Sequence, residues 1–262
     1  MSDFERILYE KDGRLALITI NRPDRMNAID ALTSHELLTA FSDFRDDDDV
    51  WVAIITGAGD RAFSTGNDLV AMSQAQAGQG GRDVPRAPFG GITREFECFK
   101  PIIAAINGYC LAGGLEIALC SDIRVAAEHA QFGVPEVTRA IIPAAGGTQR
   151  LPRMLPRGIA LELLISGARF DAQWALRYGL VNYVVPADQV MPKARELALA
   201  ICENGPLAVR LAKESALRGI ELSLEDGLKQ ENECARKVLS SEDAREGPLA
   251  FAQKRKPEYK GR

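Results

Sequence analysis

The architecture of this chain is indicated by residues 102–120, which read IIAAINGYCLAGGLEIALC. The first five residues form an apolar, partly β-branched run that is typical of a buried strand. A loop of small residues follows, and the next apolar run predicts a helix that begins near Gly113. A strand, a glycine turn and a helix in this order are typical of an α/β fold. One carboxylate, Glu116, lies inside the apolar run, where a buried charge is costly unless it is paired or used.

The composition excludes several classes of protein. The chain has 262 residues, of which 46% are hydrophobic and 26% are charged, as in an ordinary globular protein. The formal net charge of −4 argues against a nucleic-acid partner or an anionic membrane surface, and no apolar run approaches the ~20 residues of a membrane span. Five cysteines without CxxC spacing favour a reducing compartment. Because residues 1–13 do not resemble a signal peptide, we expect a soluble cytoplasmic protein.

Patterning on either side of this stretch predicts an α/β region followed by a helical one. The upstream elements are a strand hairpin over residues 4–10 and 14–20, a helix over 30–44 capped by Asp30, and a buried strand over 50–59. Residues 74–91, rich in Gln, Ala, Gly and Pro, predict a mobile loop. Downstream, a strand over 121–128 precedes long helices over 187–203, 206–219 and 223–239. We therefore expect an α/β core over 1–186 and a helical region over 187–262.

Candidate chemistry lies in three glycine-containing turns. A helix beginning at Gly113 leaves backbone N–H groups without partners, which suits an anion or a developing oxyanion. Asn67, after the strand in AFSTGNDL, could present a second such N–H group. Glu116 and Glu136 stand in comparable apolar settings, as general acid–base pairs do. Each feature also has a structural explanation, since glycines permit close packing and a first-turn glutamate stabilises its helix.

Other catalytic signatures are missing from the sequence. The two histidines, His35 and His129, lack the spacing of zinc ligands. There is no GxSxG nucleophile turn, no P-loop and no GxGxxG motif after a strand. These other chemistries therefore fit the sequence less well than the glutamates and glycine turns do.

Four ordered motifs together resemble the crotonase, or enoyl-CoA hydratase/isomerase, superfamily. They are AFSTGNDL (62–69), KPIIAAINGYCLAGGLEIALCSD (100–122), AQFGVPEVTRAIIPAAGGTQRLPR (130–153) and GARFDAQWALRYGLVNYVV (167–185), and the resemblance covers essentially the whole chain. Within the superfamily, the chain is most similar to the branch of carnitinyl-CoA dehydratases and enoyl-CoA hydratases. The resemblance implies an α/β fold, a spiral of ββα units, with a C-terminal helical part for trimerisation. Trimers of this kind often pair as hexamers.

The resemblance also implies roles for individual residues. Glu116 and Glu136 match the two catalytic glutamates of the hydratases. Asn67 and Gly113 match the two positions whose backbone N–H groups form the oxyanion hole for the thioester oxygen. Arg139 stands where an aliphatic residue is usual, and the sequence assigns no role to it. Because both glutamates are retained, a hydro-lyase is favoured over a Δ3,Δ2-enoyl-CoA isomerase, which the asparagine at position 67 keeps as an alternative.

The expected substrate is an acyl-CoA thioester, and the coenzyme A is part of that substrate rather than a cofactor. The family resemblance implies no metal or redox cofactor. Enoyl-CoA hydration, as in fatty acid β-oxidation, is favoured over carnitinyl-CoA dehydration because it is commoner in the family. The residues expected to contact the CoA are Arg25, Met26, Ala62, Ser64, Thr65, Gly66, Asp68 and Leu69, together with Phe251 and Lys254, which would reach the ligand of a neighbouring subunit.

Overall fold

The protein folds as two β-sheets covered by helices, and the computed structural model describes residues 4–77 and 84–262. The strands are β1 Ile7–Asp12, β2 Leu15–Ile20, β3 Val52–Gly57, β4 Ala62–Ser64, β5 Ile102–Ile106, β6 Tyr109–Leu111, β7 Ile123–Ala127, β8 Gln131–Gly133, β9 Arg169–Asp171 and β10 Tyr183–Val185. The helices are α1 Ala31–Asp46, α2 Leu69–Gln76, α3 Gly113–Ala118, α4 Gly147–Met154, α5 Arg157–Ser166, α6 Ala172–Arg177, α7 Val190–Cys202, α8 Pro206–Gly219, α9 Leu224–Leu239 and α10 Asp243–Ala252.

The larger sheet carries the hydrophobic core. Its strand order is β1-β2-β3-β5-β7-β10, antiparallel between β1 and β2 and parallel elsewhere. Strand β5 is buried at every position, and it packs against helix α7 and strand β4 as well as its neighbours in the sheet. From α1, the side chains of Leu37, Phe41 and Phe44 are fully buried in this core. The N–H of Thr33 donates to the Asp30 carboxylate at 2.8 Å, so the predicted helix cap is confirmed, as are the predicted hairpin and buried strands.

The smaller sheet positions the candidate site. Its order is β4-β6-β8-β9, and β4, β6 and β8 run parallel. Carboxyl ends of parallel strands meet at one edge of a sheet, where ligands of α/β proteins commonly bind. Asn67, Gly113 and Glu136 each follow one of these three strands within three residues. The topology therefore brings together three residues that are far apart in the sequence.

Two glycine turns approach each other closely at this edge. A Cβ atom on Gly66, whose φ is +86°, would lie 2.7 Å from the backbone nitrogen of Gly113. A Cβ atom on Gly114 would lie 2.1 Å from the carbonyl oxygen of Ser64. Only a residue without a side chain permits these contacts. The glycines are therefore needed to hold the turn after β4 against the beginning of α3.

A buried polar network fixes the loop between β2 and α1 beneath this edge. The Asn27 side chain accepts from the Arg22 N–H at 3.0 Å and donates to the carbonyl oxygens of Ala58 at 3.0 Å and Ala62 at 2.7 Å. The Arg22 guanidinium donates to Asp68 at 2.9 Å, and both side chains are only 9% exposed. Asp68 also caps α2, since it accepts from the N–H of Ala71 at 3.1 Å. The network therefore joins the loop to the turn that contains Asn67.

The C-terminal helices differ in what they contact. Helix α7 packs against β3, β5 and β7 of the larger sheet, whereas α8 packs mainly against α9. The predicted helices over 187–203, 206–219 and 223–239 are confirmed, with Pro206 at the first position of α8. The boundary expected between residues 186 and 187 stays a prediction. Within the described chain, no helix is long and apolar enough to cross a membrane.

The loop predicted over residues 74–91 is partly corrected. Residues 74–76 continue helix α2, so a loop is wrong for them. At the other end, Gly90 and Gly91 are buried, and Phe89 lies against α3 because a Cβ atom on Gly113 would lie 2.4 Å from its ring. The middle of the predicted mobile segment, residues 78–83, falls outside the described residues.

Ala112 at the N-cap of α3 has a strained backbone. Its φ of 52° and ψ of −129° are rare for a residue with a Cβ atom and cost about 1–3 kcal/mol. Replacing Ala112 by glycine removes this strain but adds about 0.5–1 kcal/mol of chain entropy on unfolding. We therefore expect Ala112→Gly to raise the free energy of unfolding by about 1 kcal/mol in denaturant titrations. Ala118→Gly, inside helix α3, serves as the control and should lower the free energy of unfolding by about 1 kcal/mol. Destabilisation by both variants would show that Ala112 is unstrained.

Candidate active site

One cavity of about 600 Å³ opens at the edge where β4, β6 and β8 end. It brings together Asn67, Gly113, Glu116 and Glu136, and it also includes Thr65 and Leu69 from the predicted CoA segment. The remaining lining residues are Phe89, Thr93, Arg94, Leu111, Ala112, Pro135, Arg139, Ile141, Ile142, Ala144, Ala145 and Arg169. The cavity thus combines apolar walls with a few charged groups, as small-molecule sites do.

Two backbone N–H groups in this cavity are available to a ligand. Asn67 lies in the turn before α2, and Gly113 is the first residue of α3. In the described part of the chain, neither N–H group has a hydrogen-bond acceptor. Unpaired N–H groups that face a reacting carbonyl can stabilise negative charge on its oxygen. The arrangement is suited to binding an oxyanion.

Glu116 is buried but retains hydrogen-bond partners. Its side chain lies on the first turn of α3, and the residue is only 3% exposed. The N–H of Gly147, which begins α4, donates to Glu116 Oε1 at 2.7 Å. Burial raises the pKa of the Glu116 carboxyl, while N–H groups of Gly147 and Ala145 and the positive charge of Arg150 act in the opposite direction. The carboxyl is therefore held in place and is more basic than a solvent-exposed glutamate.

Glu136 carries a more strongly perturbed carboxyl. It lies in the 3₁₀ turn Pro135–Arg139 and is 8% exposed. Its Oε2 atom is buried and has no hydrogen-bond partner among residues 4–77 and 84–262. Burial, reinforced by the negative charge of Glu116, raises the pKa of Glu136 from 4.5 to about 7, against the opposing effect of Arg139. A carboxyl with this pKa can donate or accept a proton near neutral pH.

Of the residues predicted to contact CoA, those before residue 70 divide into three groups. Thr65 and Leu69 line the cavity. Arg25 and Met26 lie on the loop before α1, outside the cavity lining, and Arg25 is exposed. The side chains of Ala62, Ser64 and Asp68 are buried behind the turn, next to Gly66. Ser64 Oγ donates to the carbonyl oxygen of Asn27 at 2.8 Å, so it supports the turn.

The last two predicted contacts are remote from the cavity in this single chain. Phe251 lies in α10 and is 87% exposed, and Lys254 follows that helix. Neither residue is part of the cavity lining. Their contact with the ligand of a neighbouring subunit stays a prediction.

Several residues that line or support the cavity could not be recognised from the sequence. Gly147, which holds Glu116, and Phe89, which lies over Gly113, reach the site only through tertiary contacts. Arg94 and Arg169 carry no local signal of function. Arg139 could have been placed on the same side as Glu136, because side chains three residues apart eclipse in a 3₁₀ turn.

The fold and the cavity define an α/β enzyme of the crotonase class. The family model described as enoyl-CoA hydratase/isomerase matches residues 10–262, and the chain belongs to this family. The predicted crotonase-like α/β fold is confirmed by solved structures, with two matches from Mycobacterium. An enoyl-CoA hydratase from Mycobacterium marinum superposes with a TM-score of 0.91 and is 37% identical, covering 98% of this chain and 99% of its own. A probable enoyl-CoA hydratase/isomerase from Mycobacterium abscessus has a TM-score of 0.90 and 40% identity over the full length of both chains.

Curated relatives point to the same class of reaction. The carnitinyl-CoA dehydratase of Proteus mirabilis is 48% identical over 254 residues, which cover 95% of this chain and 96% of the relative. The carnitinyl-CoA dehydratase of Citrobacter koseri is 44% identical over 262 residues, covering 98% of this chain and 99% of the relative. These names denote enzymes that add or remove water, and the predicted enzyme class, a hydro-lyase, is confirmed.

Proposed function

We propose that the protein is an enoyl-CoA hydratase, which adds water reversibly across the 2,3 double bond of a 2-enoyl-CoA thioester. The observation that carries the proposal is the shared cavity of Glu116 and Glu136, two buried carboxyls with raised pKa values, beside two unpaired N–H groups. Addition of water requires one group to take a proton from the water and another to give a proton to carbon. The cavity supplies both groups next to an oxyanion site.

In the proposed reaction, the N–H groups of Asn67 and Gly113 donate to the thioester oxygen. Negative charge develops on this oxygen as water adds at C3, so the two hydrogen bonds strengthen in the transition state. Glu116 takes a proton from the water while its oxygen bonds to C3. Glu136 gives its proton to C2, and the double bond becomes a single bond. Dehydration is the reverse of these steps.

These proton transfers are complete with the two carboxyls and the water, so we propose that no metal or redox cofactor takes part. Among the residues described by the structure, no group of three or more His, Cys, Asp or Glu side chains could hold a metal ion. The CoA would extend from the cavity along Thr65 and Leu69 toward the loop that carries Arg25 and Met26.

Two other reactions remain as candidates. The carnitinyl-CoA dehydratases at 43–48% identity favour a related hydro-lyase that acts on a substituted acyl chain. A Δ3,Δ2-enoyl-CoA isomerase would use one glutamate to move a proton between C2 and C4, and it is favoured only by Asn67. Neither requires a different site.

We further propose a cytoplasmic homotrimer, or a hexamer of two trimers, that acts in fatty acid β-oxidation. All five cysteines are free thiols, which suits a reducing compartment. Helices α8 and α9 and the turn between them expose large apolar side chains, including Ile220 at 77% in the turn and Leu224 at 79% in α9, and such surfaces commonly mark protein interfaces. The exposed Phe251 would also be covered in such an assembly.

The test of the proposed function is a comparison of two isomeric substrates. A 2-enoyl-CoA should gain about 18 mass units, the mass of one water, and lose the absorbance of its conjugated thioester. A 3-enoyl-CoA should be converted to the 2-enoyl isomer more slowly than the conjugated substrate is hydrated. Rapid isomerisation without a detectable water adduct would refute the hydratase assignment in favour of the isomerase.

A further inference from the structure

Three arginines line the cavity without taking part in the proposed proton transfers. They are Arg94, Arg139 and Arg169, and each is solvent-exposed within the open cavity. Over residues 4–77 and 84–262, none of the three lies within 4.0 Å of a carboxylate oxygen. Most arginines on the rest of this surface are paired, as Arg218 is with Glu97 at 3.0 Å. Within the described residues, no carboxylate therefore neutralises these three guanidinium groups, although Arg94 also donates to a carbonyl oxygen and Arg169 lies over the ring of Tyr109.

The charges of the cavity do not cancel. Three arginines face two carboxyls, and Glu136, with a pKa of about 7, is partly neutral near that pH. The cavity has an excess of positive charge in either protonation state of Glu136. Such an excess attracts an anionic group and opposes a cationic one, most strongly where little water separates the charges.

The contacts place Arg94 close to Glu116, and both residues line the cavity. Glu116 lies one turn of α3 after Gly113 and accepts the N–H of Gly147. Arg94 donates to the carbonyl oxygen of Ala144 in the same turn, and its positive charge lowers the pKa of Glu116. In the proposed reaction Glu116 acts at C3, so the acyl atoms next to C3 would lie on the Glu116 side of the cavity, which Arg94 also lines.

Arg139 adds positive charge on the Glu136 side. The two residues stand three apart in a 3₁₀ turn, where such side chains eclipse. Among the described residues, the only side-chain hydrogen bond of Arg139 is a 3.3 Å contact to Thr138 Oγ1, its neighbour in the chain. Its guanidinium is therefore not committed to a structural role.

Resting on the proposed hydratase function, we propose that the acyl chain of the substrate ends in a carboxylate close to the double bond, and that Arg94 binds this carboxylate with support from Arg139. A paired carboxylate and guanidinium form charge-assisted hydrogen bonds. The same site disfavours an acyl chain that ends in a quaternary ammonium group. This preference for an anionic acyl chain would distinguish the protein from a dehydratase that acts on a cationic acyl chain.

The test compares three CoA thioesters of similar shape but different charge. They are 4-carboxybut-2-enoyl-CoA, the neutral 5-methylhex-2-enoyl-CoA and the cationic 4-trimethylammoniobut-2-enoyl-CoA. We expect kcat/KM for hydration to be about tenfold higher for the carboxylate than for the neutral compound, and lowest for the cation. Equal rates for the carboxylate and neutral compounds, or a preference for the cation, would overturn the inference and leave the hydratase function standing. Hydration of none of the three, nor of unsubstituted but-2-enoyl-CoA, would instead refute the proposed function.

Variants identify the residues responsible. Arg94→Gln should remove most of the preference for the carboxylate over the neutral compound, and Arg94→Lys should restore part of it. The correct measure is the ratio of kcat/KM for the carboxylate to kcat/KM for the neutral compound. Loss of the Arg94 charge also alters the pKa of Glu116 and so affects the rate with every substrate. Arg139→Leu should reduce the ratio less, and Arg177→Gln, which removes an exposed arginine outside the cavity, should not change it. An equal loss for all three substrates in Arg94→Gln would leave the ratio unchanged; it would show that this arginine acts through Glu116 or through the CoA phosphates, and would overturn the inference.

Discussion

Replacing either cavity glutamate by glutamine is expected to lower the rate of hydration by about 10²- to 10⁴-fold. Glutamine has nearly the same shape as glutamate but can neither take a proton from water nor give one to carbon. Steady-state assays on a 2-enoyl-CoA, with Glu116→Gln and Glu136→Gln measured separately, check this expectation. Glu128→Gln, at an exposed position outside the cavity, is the matched control and should keep the wild-type rate. Near wild-type turnover in either cavity variant would refute the mechanism with two glutamates.

The raised pKa of Glu136 gives this prediction two further readouts. If Glu136 donates the proton to C2, hydration should slow as the pH rises through about 7, where the carboxyl ionises.

The folded-state pKa of Glu136, about 7, exceeds the ordinary value of 4.5, so the fold favours the neutral acid. The resulting cost to stability is absent below pH 4.5 and complete above about pH 7. Glu136→Gln should therefore stabilise the protein at pH 8, by about 3 kcal/mol at most, but not at pH 4. Reduced stability at pH 8 would contradict the raised pKa.

The second large effect is expected on stability, from loss of the buried arginine beneath the site. Arg22 lies between Asp68 at 2.9 Å and Asp30 at 3.3 Å and also donates to the carbonyl oxygen of Ala28 at 2.5 Å. Removing one partner of a buried ion pair leaves an uncompensated charge, at a cost of about 3–5 kcal/mol. Arg22→Met should lower the free energy of unfolding by this amount in urea titrations at fixed protein concentration.

Two controls separate the ion pair from other effects. Arg25→Met, at an exposed position in the same loop, should change the free energy of unfolding by less than about 0.5 kcal/mol. Asp68→Asn removes the charge but keeps a side chain that can cap α2, so it isolates the contribution of the pair. An unfolding midpoint for Arg22→Met equal to that of Arg25→Met would show that the pair does not hold the loop against the turn of Asn67.

The longer elements were predictable from the sequence because each carries a local signal. The strand over residues 102–106 is a run of apolar residues, and the helix after Asp30 combines a cap with apolar positions on one face. The smaller sheet was not predicted as a sheet. Strands β6 and β8 have three residues each, too few to show an alternating pattern, and they form only because β4, β6 and β8 pair side by side.

The sequence by itself determined the family and the candidate residues Glu116, Glu136, Asn67 and Gly113, since their motifs are short and continuous in the chain. Only the tertiary structure decided their environment. The N–H of Gly147 on Glu116, the unpartnered Oε2 of Glu136 and the unpaired arginines of the cavity all arise where separate segments meet. A carboxyl's pKa depends on burial and on nearby charges from every segment around it, and these are fixed only when the chain has folded.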